Sequence, residues 1–170
     1  MQLYELTVKY ERAGEKGLNT KVTEQYIIKA RSCATAEVGL LNMLKPLVTG
    51  ICEVLSVKRS AVSEVIGDNY GLISKTIGEV DRLMGNTNAN TDADRYYKAK
   101  VQFEHLDEIT GKPKKTNQLY FIYAGSVEAA HKTLNYSLQK SISDYEIQSV
   151  VETKFIDYAI LVEEENNGQQ

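Results

Sequence analysis

Lysines and aromatic residues that alternate along predicted strands are the side chains of this sequence best suited to bind a ligand. Lys98 and Lys100 on one strand lie beside Phe121 and Tyr123 on the next. Small α/β modules bind nucleotides and single strands by stacking bases on aromatic rings and contacting phosphates with lysines. We therefore predict a ligand-binding sheet face for a nucleotide or single-stranded nucleic acid, composed of Lys9, Lys29, Lys98, Lys100, Phe121 and Tyr123.

The same face has a second interpretation, in which its apolar residues are covered. Ile27, Leu119, Phe121 and Tyr123 together would form a contiguous apolar patch, which monomeric proteins rarely expose. The other half of the chain, the connector between the halves or a second subunit would bury it, and a twofold homo-oligomer is the expected partner. The sequence leaves two functions open. One is a non-enzymatic nucleotide-binding or single-strand-binding protein, including one that sequesters a nucleotide signal. The alternative is a structural or protein-interaction protein.

Residues that could carry catalysis are sparse. His105 falls in a predicted hairpin turn and His131 on a predicted helix, where both read as surface residues. Cys33 and Cys52 are expected to be small buried hydrophobic side chains, and two cysteines are too few for a four-cysteine zinc site or a disulfide framework. The sequence contains no phosphate-loop, zinc-protease, nucleophile-elbow or EF-hand motif. We therefore predict no enzyme activity, no cofactor and no metal site.

Composition limits the remaining function classes. The 170 residues carry 20 basic and 23 acidic side chains, a net charge of −3, which excludes a histone-like DNA binder. No apolar run approaches the roughly 18 residues of a membrane span, and the N-terminus has no signal-peptide core. The expectation is a cytoplasmic protein without a membrane partner, in the host cytoplasm if the gene belongs to a phage.

The elements that must position the candidate residues occur twice in the sequence. Residues 4–11 match residues 97–104 in their aromatic and aliphatic positions, at an offset of 93. Residues 23–32 match residues 117–126 at an offset of 94, one residue having entered the turn between the two segments. Because the register holds through several elements, we predict an internal duplication.

Each copy is predicted to form a strand, a second strand, a helix and a third strand. Gly17 and Gly111 occupy the hairpin turns, and Ser32 and Ser126 precede the helices as N-caps. The predicted fold class is α+β: an internally duplicated β-β-α-β unit with pseudo-twofold symmetry, its helices packed on one side of an antiparallel sheet. The apolar stripes of the helices consist of Ala36, Leu40, Leu44, Ala130, Leu134 and Leu138.

Four segments follow from this pattern. Residues 1–65 form the first repeat and residues 97–160 the second. Residues 66–96 form a connector with a short amphipathic helix followed by a polar linker, and residues 161–170 form an acidic flexible tail. The connector helix is predicted from the spacing of Ile73, Ile77, Val80 and Met84.

Several segments also resemble a known family. They are the opening residues Tyr4, Val8, Tyr10 and Glu11, the alternating residues from Val22 to Ser32, and the closing residues 56–59 with Glu64 and Val65. The chain resembles a family of uncharacterised small proteins, a domain of unknown function found in gut-type bacteria, their mobile elements and their phages. The resemblance spans both repeats, but the connector here is longer than the family's. It implies no activity and no catalytic residues, and it favours a phage or mobile-element accessory protein.

Overall fold

The computed structural model describes residues 1–13, 17–67, 74–76 and 95–162, and it divides into two compact units. The first unit contains residues 1–60, 74–76 and 155–162, and the second contains residues 61–67 and 95–154. The elements in chain order are β1 (Gln2–Ala13), β2 (Asn19–Ala30), α1 (Cys33–Leu44), β3 (Glu53–Arg59), β4 (Val62–Gly67), β5 (Ser74–Thr76), β6 (Arg95–Leu106), β7 (Pro113–Ala124), α2 (Val127–Leu138), β8 (Asp144–Glu152) and β9 (Phe155–Val162).

The first unit is built on a five-stranded sheet in the order β3-β1-β2-β9-β5. β1 pairs antiparallel with β2 and β3, whereas β9 pairs parallel with β2, and β5 pairs parallel with β9. Alternate residues of β1 and β2 enter one core with the buried side of α1, because successive strand residues point to opposite faces. The buried side chains of this core include Leu6, Val8, Ile28, Leu40, Leu44 and Leu161.

The second unit is built on a four-stranded sheet in the order β4-β7-β6-β8. β6 pairs antiparallel with β7 and β8, and β4 pairs parallel with β7. Alternate residues of β6 and β7 pack with the buried side of α2. The buried side chains of this core include Val101, Phe103, Tyr120, Ile122, Leu134 and Leu138.

The predicted helix caps, hairpin glycines and leucine stripes are confirmed, whereas Cys33, predicted to be buried, is exposed and Cys52 is half-buried. The hydroxyls of Ser32 and Ser126 cap α1 and α2, each accepting a hydrogen bond of 3.1 Å from the backbone N–H three residues on. Gly17 and Gly111 have positive φ angles of 72° and 64° in the two hairpins. The predicted leucine stripes are buried, and the fold is a mixed α+β architecture.

The prediction of an antiparallel sheet is only partly right. Each sheet also includes a parallel strand that comes from elsewhere in the chain. β4 follows β3 after two residues, yet it joins the sheet of the second unit beside β7. β9 follows β8 after two residues and joins the sheet of the first unit beside β2. Both of these strand pairs are parallel, and in each case the fourth strand of one half joins the sheet of the other.

Backbone hydrogen bonds fasten the points where the chain leaves each unit. The N–H of Ser60, directly after β3, donates to the carbonyl of Leu3 at 2.8 Å. The N–H of Thr153, directly after β8, donates to the carbonyl of Tyr96 at 2.9 Å, and its hydroxyl donates to the same oxygen at 2.7 Å. Each crossover is thereby tied to the start of the first strand of the unit that it leaves.

The predicted connector and tail lie mainly outside the described residues. Ser74–Thr76 form β5 near the start of the predicted connector helix, whose remaining residues to Met84 are not described. The predicted polar linker, residues 85–92, is also outside the described part. Residues 161 and 162 belong to β9, and the rest of the predicted tail, residues 163–170, lies beyond the described residues.

α1 approaches the first sheet closely at Gly39, which is buried against β9. A Cβ atom at this position would overlap Leu161 Cδ1 and would lie 3.1 Å from Leu161 Cγ. Leu161 is itself buried, so its side chain has little room to turn aside. A residue without a side chain is therefore required where the helix crosses this strand.

We expect Gly39→Ala to destabilise the protein by about 1–2 kcal/mol, measured as the free energy of unfolding in urea. Overpacking typically costs about 1–3 kcal/mol, which exceeds the roughly 1 kcal/mol that alanine gains over glycine within a helix. The matched control is Gly50→Ala, whose new Cβ would meet the Glu11 side chain at ordinary contact distances, 3.7 Å from Oε2 and 4.0 Å from Cβ. If Gly39→Ala were instead stabilising, the close approach of α1 to β9 would be wrong.

Candidate functional site

The predicted ligand face lies on the side of the second sheet opposite α2. There Lys98 is directly opposite Phe121, and Tyr96 is directly opposite Tyr123. The ammonium group of Lys98 sits 5.5 Å from the centre of the Phe121 ring, and the rings of Tyr96 and Tyr123 are 4.9 Å apart. Lys100 is two residues beyond Lys98 on the same face. The structure therefore brings together the four predicted residues of the second half.

Accessibility on this face differs from what a stacking platform needs. Phe121 has 0% of its surface exposed, so no base can stack on its ring. Tyr123, Lys98 and Lys100 are half-buried. Ile27 is also fully buried. The oligomer prediction assumed that four apolar residues form an exposed patch. Two of them, Ile27 and Phe121, are already covered within the single chain and are not exposed.

The two predicted residues of the first half do not lie together. Lys9 is exposed on β1 opposite Thr23, and Lys29 is half-buried on β2 opposite Leu3. Six residues of β2 separate these positions, roughly 20 Å along the strand. One ligand group cannot contact both lysines.

A groove of about 570 Å³ opens on the other face of the second sheet, beside the C-terminal end of α2. Its apolar part is formed by buried side chains of β6, β7 and α2. Hydroxyl and amide groups form most of the remaining wall, and two basic side chains complete it. The lining residues are Phe103, His105, Thr116, Gln118, Tyr120, Ser137, Leu138, Lys140, Ser141 and Ser143.

The electrostatic character of this groove is neutral inside and basic at its edge. The Tyr120 hydroxyl donates to Gln118 Oε1 at 2.7 Å. Burial raises the pKa of Tyr120, and the nearby Glu64 carboxylate adds to the rise, so this phenol stays protonated. Exposed Lys114 is directly opposite His105, which places both on the same sheet face. Together with Lys140, they favour an anionic group at the edge of the groove.

The corresponding place in the first unit holds a carboxylate instead. The hydroxyls of Tyr10 and Tyr26 both donate to Glu24 Oε2 at 2.7 Å. Arg12 Nη1 lies 4.0 Å from Glu24 Oε1. Burial raises the pKa of both tyrosines, and their hydrogen bonds to the Glu24 carboxylate raise it further. At this place the first unit therefore holds a carboxylate bonded to two phenols, whereas the second unit has the neutral pair of Gln118 and Tyr120.

Sequence reasoning missed the groove because it treated His105 as a solvated turn residue. The signal was present in the repeat alignment, where Gln118 stands in place of Glu24 and Phe103 in place of Tyr10. The strands otherwise match, so the replacement of charged and polar side chains by neutral ones at one place indicates that the two halves differ in function there. The predicted face opposite α2 drew attention away from these substitutions.

We expect Tyr10 and Tyr26 to resist ionisation in a tyrosinate absorbance titration of the folded protein. Their pKa values are raised on folding, so the stabilisation is present below about pH 10 and is lost as pH rises above it. The free energy of unfolding should fall with rising pH in that range. Glu24→Gln should lower both pKa values, whereas Tyr136→Phe, at an exposed position, should leave the ionisation of Tyr10 and Tyr26 unchanged. Identical titrations of the wild type and Glu24→Gln would contradict the cluster.

Residues 1–13, 17–67, 74–76 and 95–162 contain no group of three or more His, Cys, Asp or Glu side chains that could hold a metal ion. Within the same ranges, no helix has the length and apolar character needed to cross a membrane.

Comparison with known proteins gives a family but no named activity. A family model described as a domain of unknown function (DUF4494) matches residues 2–160. A search of curated proteins finds no match.

Proposed function

The chain belongs to the DUF4494 family, and since that description names no activity, we propose from the geometry of the chain that it is a non-enzymatic binding protein. Its ligand is a nucleotide or a short single-stranded nucleic acid, and its site is the groove between β6, β7 and the end of α2. Membership of an uncharacterised family was predicted from the sequence and is confirmed.

The observation that carries this proposal is the combination of surfaces within the groove. Its volume of about 570 Å³ falls within the range of small-molecule sites, roughly 300–1,000 Å³. Phe103 and Tyr120 offer aromatic surface for a base, and the hydroxyl-rich wall offers partners for a sugar. Lys140 in the wall of the groove suits a phosphate, as do His105 and Lys114, which lie opposite each other at its edge.

The proposal keeps the ligand class predicted from the sequence and changes the aromatic contacts. Phe121 is buried, and Lys98 already lies over its ring. Phe103 and Tyr120 border an open volume instead, although each is itself largely buried. A ligand would meet these rings at their edges, with its polar groups directed to the hydroxyls.

We also propose that the two units arose by internal duplication with pseudo-twofold symmetry, each helix lying on one side of its sheet. Three observations support it. β1 and β6 have equal length, as do β2 and β7, and the registers of the two hairpins agree residue for residue. The bulge between Thr7 and Val8 recurs between Lys100 and Val101. The helix caps and the exchanged fourth strands also match.

A protein-interaction role is the second candidate, and exposed apolar residues favour it. Ile109 and Leu106, in and beside the turn between β6 and β7, are 94% and 67% exposed. Ile142, in the loop after α2, is also fully exposed. A partner protein or a second copy of the chain would cover them. The homo-oligomer, the cytoplasmic location and the role as a phage or mobile-element accessory protein stay predictions.

We expect nucleotides or short oligonucleotides to raise the melting temperature of the protein at low salt, because a ligand that binds only the folded state stabilises it. Lys140→Ala should weaken binding about tenfold, which corresponds to a charged hydrogen bond of about 1.5 kcal/mol, and should reduce the salt dependence. The matched control is Lys132→Ala, an exposed lysine of α2 that does not line the groove.

Two outcomes would contradict this proposal. If no nucleotide or oligonucleotide stabilised the protein at low salt, where attraction between charges is greatest, the ligand class would be wrong. If Lys132→Ala weakened binding as much as Lys140→Ala, the effect would come from net charge and the groove would lose its role.

A further inference from the structure

One position inside the matched hairpins distinguishes the two units chemically. Glu24 is the sixth residue of β2 and lies opposite Val8. Gln118 is the sixth residue of β7 and lies opposite Val101. The two side chains therefore occupy equivalent places on equivalent strands, and only the first carries a negative charge.

The side chains around this position also differ between the two units. Glu24 receives hydrogen bonds from Tyr10 and Tyr26 and faces the guanidinium of Arg12. Counting along the strands, Phe103 stands where Tyr10 does, Tyr120 where Tyr26 does, and His105 where Arg12 does. The second unit thus keeps one phenol and a basic side chain around a neutral amide, and the groove opens there.

We propose that the ligand supplies to the second unit the anion that the first unit carries as Glu24. The anion is a terminal phosphate, seated beside Gln118, Tyr120 and His105. This inference rests on the proposed function, because it places one part of the proposed nucleotide within the groove. In the second unit the phosphate occupies the position that the Glu24 carboxylate occupies in the first.

The number of cations favours a phosphate over a carboxylate. One cation, Arg12, lies beside Glu24 in the first unit. At the edge of the groove there are three basic side chains, His105, Lys114 and Lys140. A phosphate monoester carries about 1.5–2 negative charges near neutral pH, whereas a carboxylate carries one. Glu64, which acts on Tyr120 from β4, and Asp107, which interacts electrostatically with His105, are opposing charges that the basic side chains must outweigh.

Gln118→Glu tests the inference directly, because it restores in the second unit the carboxylate of the first. Binding of adenosine 5′-monophosphate, adenosine and inorganic phosphate would be measured by calorimetry. We expect Gln118→Glu to weaken the monophosphate at least tenfold and to change adenosine less than twofold. Inorganic phosphate should bind the wild type weakly and lose its binding in the variant. The matched control is Gln102→Glu, which adds the same charge on the opposite face beside Asn117 and should change neither ligand.

The outcomes separate this inference from the proposed function. If the wild type bound the monophosphate and Gln118→Glu bound it equally well, the position of the phosphate would be wrong while the groove kept its role. If the wild type bound neither adenosine nor the monophosphate, the proposed function would fail. Inorganic phosphate binding as tightly as the monophosphate would support the anion position and overturn the nucleotide as its source.

A second variant keeps the test decisive if Gln118→Glu unfolds. His105→Arg copies the first unit at an exposed position, so the fold should tolerate it. The added guanidinium can contact a phosphate with two parallel hydrogen bonds, and we expect several-fold tighter binding of the monophosphate. Unchanged or weaker binding would overturn the proposed position of the phosphate.

Discussion

The exchange of one strand between the two halves is the constraint on which the rest of the structure depends. β9 is the parallel neighbour of β2, and β4 is the parallel neighbour of β7, so neither sheet is completed by a contiguous segment. The exchanged strands are also part of the buried interior. Ala159 and Leu161 of β9 belong to the core of the first unit, and Ile66 of β4 packs against the core of the second. The stability of each unit therefore includes residues from the other half of the sequence.

The two long hairpins, β1–β2 and β6–β7, position the residues of the Glu24 cluster and of the groove. The strands of each hairpin are paired over all twelve residues, which fixes the place of every side chain on its face. A single exchange of carboxylate for amide at an equivalent position then changes what the face can do. In the first unit the carboxylate satisfies two buried phenols, and in the second a neutral amide satisfies one. The same scaffold thereby supports one closed polar cluster and one open groove.

The sequence predicted those features that depend on neighbouring residues, and the rest depend on contacts distant in the chain. Ser32 and Ser126 are recognisable as caps because capping involves residues three apart, and Gly17 and Gly111 because a turn needs positive φ. The alternation of side chains along the strand correctly placed Phe121 on the face away from α2, but it could not show that Phe121 is buried there. Nor does a two-residue crossover show which sheet the next strand joins. The groove depends on such distant packing, and only the substitutions of Gln118 for Glu24 and of Phe103 for Tyr10 marked it.

The strand exchange also has a consequence for synthesis on the ribosome. The chain emerges from its N-terminus, so β2 is made long before β9, which follows it by more than a hundred residues. Until β9 arrives, the first sheet exposes an unpaired edge and the apolar surface that Ala159 and Leu161 later cover. A chain that stops before β9 would keep this edge and this apolar surface exposed, and such surfaces make incompletely folded chains prone to aggregation. The first sheet can therefore be completed only after β9 has been synthesised.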